Sequence, residues 1–429
     1  MFDIDSYFKD FMEKEEIFHE RNVLRPEFVP SFLPHRDHQI QKVAEIVACT
    51  LKNSMPSNLF LFGKTGTGKT AVIKYVSEHL NQQCRESGIP ESKWIFLNCQ
   101  EVNTGYRVLA KICDEIDPKH PVPIAGWPID VVFDALIEKI NTLLRGNCFI
   151  VLDEIDVLVK KARKSQDVLY NLFRINSRLQ STKVNIIGIS NVLNFKNELD
   201  PRVISSLGDE DIVFPAYNAL EIKDILDQRA VRAFFPHALD QSVIPLCAAL
   251  AAKEHGDARK ALDLLRKAGE CAERRNAKKV VIDHVYAAQE NMEKDKMKEY
   301  FEALPLQSKM ILLSLFQLEK HSKQGAVITG DIYNTYVELV KFIPGLNKLT
   351  QRRVSELIRE LDLAGMVNAR VKSTGRYGRT KFIKSNIDIK DLKNYLCTEP
   401  RLAEIVEIKP ASLQNKTTIY AGKQFRKLM

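Results

Sequence analysis

Eight consecutive residues, Gly63-Lys64-Thr65-Gly66-Thr67-Gly68-Lys69-Thr70, have the types and spacing to hold a polyphosphate. They satisfy the pattern of Gly, four residues, then Gly-Lys-Ser/Thr at every required position. Glycines take backbone angles that a side chain would forbid, so consecutive N–H groups can turn inward around phosphate oxygens. Lys69 would reach the β- and γ-phosphates, and the Thr70 hydroxyl would take a coordination position on Mg²⁺. The elements that must position this loop are legible on both sides. Asn58-Leu59-Phe60-Leu61-Phe62 reads as a short buried strand. From Ala71 onward the chain reads as a helix whose positive N-terminal end faces the phosphates. A chance Gly/Thr-rich turn would lack that context.

A second constellation is built for the same chemistry. Cys148-Phe149-Ile150-Val151-Leu152 is an apolar run ending in Asp153-Glu154. A buried strand of this kind carries two carboxylates to its C-terminal edge, where α/β sheets place their ligands. Asp153 would hold Mg²⁺, directly or through water, and Glu154 would polarise the attacking water. Residues 184–191 form another apolar strand ending in Asn191, which orients that water, touches the γ-phosphate or merely caps the strand. Arg202 follows this fourth strand. It is either an arginine finger offered to a neighbouring subunit's nucleotide or half of an intrachain salt bridge. Arg259 sits in the first turn of a helix, against the helix dipole, from where it could reach a γ-phosphate.

The bulk properties are those of an ordinary globular chain. Its 429 residues suffice for two or three domains, with 45% hydrophobic and 28% charged residues. The net charge of +8 is compatible with a nucleic-acid partner without requiring one. The eight cysteines contain no Cys-x-x-Cys pair and read as reduced thiols. No apolar run is long enough for a membrane span, and no signal-peptide pattern is visible.

Along the chain, Ile4, Tyr7, Phe8 and Phe11 recur at helical spacing, and a proline-punctuated arm follows. Leu33-Pro34-His35-Arg36 leads into a helix to about Leu51. In many phosphate-loop ATPases such a segment lies beside the adenine, whereas a His-Arg pair at a helix start ordinarily faces water. Residues 93–98 read as a strand, residues 130–144 as a helix. After Phe214 helices take over, with Tyr217, Ile222, Ile225, Leu226 and Arg229 assigned to one of them.

From about Leu306 the rhythm changes. Two helices precede a third, N-capped by Thr350, in which Val354, Leu357, Ile358 and Leu361 share one face. Arg352, Arg353, Ser355 and Arg359 occupy its other positions, and Gly365 ends it. Two short strands, residues 366–371 and 380–383, flank a tip with Lys372, Arg376, Tyr377 and Arg379. Three helices and a hairpin make a winged helix. An arginine on such a helix can contact guanine in the major groove, and a basic wing can follow phosphates. Protein docking is the other use of such a module, and Glu356 would repel phosphate. Residues 409–429 read as a basic flexible tail.

The order of these motifs resembles that of the AAA+ ATPases. Leu33-Pro34-His35-Arg36, Thr104-Gly105-Tyr106-Arg107-Val108-Leu109, Gly126-Trp127-Pro128, Arg202-Val203-Ile204-Ser205-Ser206-Leu207 and Gly256-Asp257-Ala258-Arg259 resemble the archaeal origin-recognition and helicase-loading initiators over about residues 20–385. The resemblance implies an α/β AAA+ core with a parallel sheet, an all-α lid and a C-terminal winged helix. The expected boundaries are 1–214 for arm and core, 215–300 for the lid, 301–390 for the winged helix and 391–429 for a basic segment. It implies ATP or ADP with Mg²⁺, flanked at adenine and ribose by Tyr217 and Arg229. It also implies DNA contact by Tyr106 and Arg107, in an insertion beside the core. The family usually has Lys where Ile204 stands, so any contact made by that lysine is in doubt here. The implied function is an ATP-regulated initiator that binds double-stranded origin DNA with other initiator subunits and helps recruit the replicative helicase. It would work in the cytoplasm on the nucleoid, with slow hydrolysis as a switch. The alternatives are a winged-helix transcription regulator with a structural nucleotide, and a clamp-loader-like machine, which the winged helix argues against.

Overall fold

The computed structural model describes residues 17–102, 104–123, 125–161, 163–205, 209–321, 327–373 and 379–410. The stretch from Ile4 to Phe11, Ser206 and Leu207, the wing residues Arg376 and Tyr377, and the basic tail beyond residue 410 lie outside the described residues. The chain divides into two compact units, Met1–Ala288 and Gln289–Met429.

The first unit is built on a parallel five-stranded sheet of order β2-β3-β4-β1-β5, with β1 Asn58–Phe62, β2 Lys93–Asn98, β3 Asn147–Asp153, β4 Lys183–Ser190 and β5 Asp209–Val213. Successive side chains on a strand point to opposite faces. Phe60, Phe62, Ile95, Leu97, Ile150, Leu152, Val184 and Ile186 therefore enter one core, shared with helices Gly105–Ile116, Ile129–Leu143 and Arg163–Phe173. Leu59, Leu61, Phe149, Val151, Ile187, Ile189 and Ile212 enter the other, shared with helices Asp37–Val47 and Lys69–Glu86. Burial on both faces explains why β1, β3 and β4 read as near-continuous apolar runs. Strand β5 was not expected from the sequence. Among the described residues it pairs only with β1, at the sheet edge, and its Asp209-Glu210-Asp211 start hides the strand pattern.

The strand order has a functional consequence. Strand β4 lies between β1 and β3, so the segments leaving all three C-terminal ends emerge side by side. Those segments carry the phosphate loop, Asp153-Glu154 and Asn191.

Helices Ala219–Ala233, Val243–Lys253 and Ala258–Arg274 follow. Tyr217 was assigned to the first of these helices, but it precedes the Asn218–Glu221 capping box that starts the helix. A helix cannot extend back past its N-cap, whose backbone has left helical angles.

The second unit packs helices Leu306–His321, Thr329–Val340 and Gln351–Leu363 against an antiparallel sheet of order β6-β8-β7. Its strands are β6 Val327–Ile328, β7 Val367–Ser373 and β8 Arg379–Ser385. The expected helices and hairpin are present, each strand running slightly longer than its apolar pattern. Beyond the expected elements, helix Ile389–Thr398 buries Leu392, Tyr395 and Leu396 in the same core. Among the described residues no helix is long and apolar enough to cross a membrane.

Candidate functional site

The phosphate loop is held open by left-handed glycines, with φ of +74° at Gly66 and +88° at Gly68. Inside it, Lys69 is 5% exposed, and its ammonium donates to the carbonyls of Gly63 (2.7 Å) and Lys64 (2.8 Å) and to Asn191 Oδ1 (2.9 Å). The Asn191 amide donates onward to Glu154 Oε1 at 3.3 Å. The Thr70 hydroxyl donates to Asp153 Oδ2 at 2.7 Å. Loop lysine, strand-end asparagine and strand-end glutamate thus form one hydrogen-bonded chain, with the Thr70–Asp153 pair beside it. Lys64 and Thr65 are exposed on the loop, and Thr67 is buried, its hydroxyl on the Lys64 carbonyl at 2.8 Å.

Burial lowers the Lys69 pKa to about 8, opposed by Asp153 and reinforced by Arg259. Burial raises the Glu154 pKa, as do the Asp153 and Asp156 charges. Glu154 also takes a left-handed backbone (φ +56°), an uncommon conformation for a non-glycine residue. Its Oε2 is buried without a hydrogen-bond partner. A buried carboxylate oxygen left unpaired at a sheet edge is poised to accept a proton or bond a water.

The lid meets the loop tip. Asp257 caps helix Ala258–Arg274 by accepting from the amides of Arg259 (2.9 Å) and Lys260 (3.4 Å), which offsets the unfavourable Arg259 in that first turn. The Ala258 amide donates to the Gly66 carbonyl at 3.3 Å. Arg259 is exposed, and its charge is felt at both Lys69 and Glu154. Tyr217 is buried, its hydroxyl against Gly68. Arg229 is buried further along the lid, donating at 3.3 Å to the carbonyls of Val23 and Phe28 in the N-terminal arm. Arg202 stands apart from this cluster. It is exposed and paired with Asp200 (3.0 Å) and Asp167 (3.2 Å).

Two residues were not singled out from the sequence for the places they occupy. Asp257 was quoted only as part of a motif, although an Asp before a helix is a readable N-cap signal. Arg36, which could have faced water, is instead 2% exposed and bonds the loop backbone. No local pattern distinguishes those two outcomes.

The residues present fit a magnesium nucleotide. The left-handed turns at Gly66 and Gly68 and the Lys69 ammonium suit phosphates, while Thr70 and Asp153 offer oxygens for a hard cation. No group of three or more His, Cys, Asp or Glu is placed to cage a metal among the described residues. Mg²⁺ keeps waters and substrate phosphates as ligands, so the Thr70 and Asp153 oxygens are the protein's share.

Residues 53–202 match the AAA domain family, 223–290 the Cdc6 AAA+ ATPase-type lid domain and 299–395 the CDC6 C-terminal winged helix domain. An ORC1-type DNA replication protein of Pyrococcus furiosus is 48% identical over 415 residues, 96% of this chain and 97% of that relative. The ORC1-type DNA replication protein 1 of Methanosarcina mazei is 45% identical over 414 residues, 96% of this chain and 98% of that relative. The chain belongs to the ORC1-type DNA replication proteins. Among solved structures, Aeropyrum pernix ORC1 in complex with DNA matches with a TM-score of 0.78 and 44% identity, covering 91% of this chain and 100% of that one.

In this ORC1-type chain the nucleic-acid candidates are distributed over both units. On the winged helix, Arg352 is almost fully exposed and reaches Glu356 at 3.4 Å. Arg353 reaches Glu356 at 3.0 Å and Glu360 at 3.5 Å. These arginines hold the Glu356 carboxyl below its usual pKa. Ser355 bonds back to the Gln351 carbonyl at 2.9 Å, and Arg359 is exposed. Lys372 lies on β7 and Arg379 on β8, one register step apart in the hairpin. In the first unit, Arg107 is exposed in the first turn of helix Gly105–Ile116. Tyr106 beside it is half-buried, its hydroxyl donating to the Pro123 carbonyl at 2.8 Å. That bond fixes the following loop and leaves Arg107 as the freer of the two.

Proposed function

We propose that this ORC1-type chain is an ATP-regulated replication initiator that binds double-stranded origin DNA and hydrolyses ATP slowly as a switch. The observation that carries the reading is the hydrogen-bonded chain from Lys69 through Asn191 to Glu154 beside the Thr70–Asp153 pair, in a chain that also carries an arginine-faced winged helix. A relative 44% identical was solved in complex with DNA. The reading keeps the boundaries expected from the sequence for core, lid and winged helix. It takes other initiator subunits and the replicative helicase as partners on the nucleoid.

In this reading Lys69 and the loop amides bind the β- and γ-phosphates. Thr70 and Asp153 would hold Mg²⁺, which when bound offsets charge on the phosphate oxygens. Glu154 accepts a hydrogen bond from the water that attacks the γ-phosphorus, while Asn191 orients Glu154. The bond from the γ-phosphorus to the bridging oxygen breaks, leaving ADP and inorganic phosphate. Arg259 stabilises transferred charge within the chain, and Arg202 does so from a neighbour. Tyr217 and Arg229 sit on the nucleoside side. Loss of the γ-phosphate would release the lid and change how the DNA surfaces are presented.

The test combines turnover with footprinting on the source genome's own DNA. Glu154→Gln should bind ATP and fail to hydrolyse it, whereas Lys69→Ala should lose nucleotide contact. The footprint should lie at an origin and differ between ATP and ADP. Parental turnover in Glu154→Gln would remove Glu154 from this role. Tightly retained ADP, negligible turnover and promoter footprints would replace the reading with that of a transcription regulator.

A further inference from the structure

Arg36 is a buried cation whose bonds are all to neutral backbone. Its Nε donates to the Thr67 carbonyl (2.9 Å), Nη1 to the His35 carbonyl (2.9 Å) and Nη2 to the Pro215 carbonyl (2.8 Å). The guanidinium carbon lies 3.6 Å from the Tyr217 ring centroid. Burial lowers its pKa, yet an arginine in a protein keeps its proton. Among the described residues no carboxylate accepts a hydrogen bond from it. The Glu221 charge opposes that lowering from a distance, without a hydrogen bond to the guanidinium. Burying a cation with no directly bonded counter-ion is costly, and a residue that only filled space here would be better apolar.

The geometry points to a role in aiming the phosphate loop. The peptide joining Thr67 to Gly68 is planar and trans, so its C=O and N–H point in opposite directions. Arg36 pins the oxygen of that peptide from outside the loop, and this aims the Gly68 N–H to the inside, where phosphate would lie. Gly68 itself sits at φ +88°, a conformation a glycine holds only loosely without support. A charged donor on the carbonyl also polarises the peptide and strengthens its N–H as a donor. We propose that Arg36 is a positioning residue that orients the Gly68 amide toward the nucleotide's phosphates and ties that amide to the Pro215–Tyr217 segment that leads into the lid. This deepens the nucleotide reading above and rests on it.

The experiment measures ADP and adenosine affinity for Arg36→Gln, Arg36→Lys and Lys69→Ala, with the Gly68 amide resonance followed by NMR. Arg36→Gln should weaken ADP about ten- to a hundredfold, the range of one charge-assisted bond, and leave adenosine nearly unchanged. Arg36→Lys keeps the charge but loses the planar fork, so it should fall between and move the Gly68 amide resonance upfield. Equal losses for ADP and adenosine would overturn the proposal, because Arg36 would then serve only the Tyr217 side. Unchanged ADP affinity would also overturn it. Should the glutamine variant not fold, an unshifted Gly68 resonance in Arg36→Lys overturns it alone. If Lys69→Ala binds ADP as the parent does, the nucleotide reading fails instead.

Discussion

Gly66 is one of the four variable positions of the phosphate-loop pattern, so the motif alone permits alanine there. The structure does not. Gly66 has φ +74°, and a Cβ added there would stand inside the carboxylate of Asp257, the N-cap of the lid helix. Alanine in the left-handed region costs roughly 1–2 kcal/mol. Asp257 would also be pushed off the amides of Arg259 and Lys260, and loss of a cap costs about 0.5–2 kcal/mol. Gly66→Ala should therefore destabilise the nucleotide-free protein by about 1.5–4 kcal/mol. The assay is urea unfolding of Gly66→Ala, Asp257→Ala and the double variant. With Asp257 already truncated the collision is gone, and alanine at 66 should cost only its backbone part, about 1–2 kcal/mol. The cycle should thus show a favourable coupling of roughly 0.5–2 kcal/mol. Additive costs would refute the argument, since they would mean that loop tip and lid cap do not touch in solution.

The nucleotide site, Arg202 and the DNA-binding candidates each give further outcomes. The phosphates of ADP favour the charged form of Lys69, whose pKa is about 8. Affinity should therefore be flat below that pH and fall above it, a trend absent in Lys69→Met by calorimetry. Without nucleotide the sign reverses: between pH 8 and about 10.4 the unfolded chain keeps a proton the folded one has lost, so the parent should gain stability with pH relative to Lys69→Met. Mixing Arg202→Ala with Lys69→Ala subunits should restore turnover if Arg202 leaves its Asp200 and Asp167 partners for a neighbour's nucleotide; a mixture as inactive as its parts would confine Arg202 to its own chain. In binding titrations on origin and scrambled duplexes, Arg352→Ala should lose about 1–3 kcal/mol of discrimination at one base pair. There Arg379→Ala should instead lower the salt slope by roughly one unit on both, and the Tyr106→Ala/Arg107→Ala double variant should shorten the footprint.

The parts of this molecule legible in the sequence are those whose physics is local. A phosphate loop needs its glycines, lysine and threonine adjacent in the chain, so Gly63 to Thr70 announce themselves. The same holds for Asp153-Glu154 at the end of an apolar strand and for the caps at Thr350 and Gly365. What the sequence hides depends on contacts between distant segments. Strand β5 begins with three acidic residues and is a strand because β1 offers it hydrogen bonds. Helix Ile389–Thr398 is short, and its Leu392, Tyr395 and Leu396 make too brief a repeat to stand out until the core of the second unit receives them. Arg36 differs from a solvated helix-start arginine only because the carbonyls of Thr67 and Pro215, remote in sequence, converge on it. Tyr217 falls outside its helix because Asn218 and Glu221 satisfy the first amides one residue later.

The charges of the winged helix argue for a division of labour between its two candidate DNA-binding parts. Helix Gln351–Leu363 carries Arg352, Arg353 and Arg359 against Glu356, Glu360 and Asp362, and so has no net charge. Glu356 draws on both Arg352 and Arg353, and Arg353 is shared with Glu360. Such a helix is a poor binder of phosphate in bulk, since each arginine must first leave a carboxylate. It is better suited to reading base edges, where a guanidinium held in place loses less entropy on bonding guanine. The hairpin is the opposite: residues 367–385 carry Arg370, Lys372, Arg376, Arg379, Lys381 and Lys384 and no acid. On the proposed reading the sequence-independent, salt-sensitive part of affinity would come from the wing, and the choice of site from the helix. Replacing Glu356 with glutamine separates the two. It frees arginines for phosphates, so binding to scrambled DNA should rise more than binding to origin DNA, and discrimination should fall. An equal gain on both would mean that the carboxylate only repels DNA and takes no part in holding the arginines for reading.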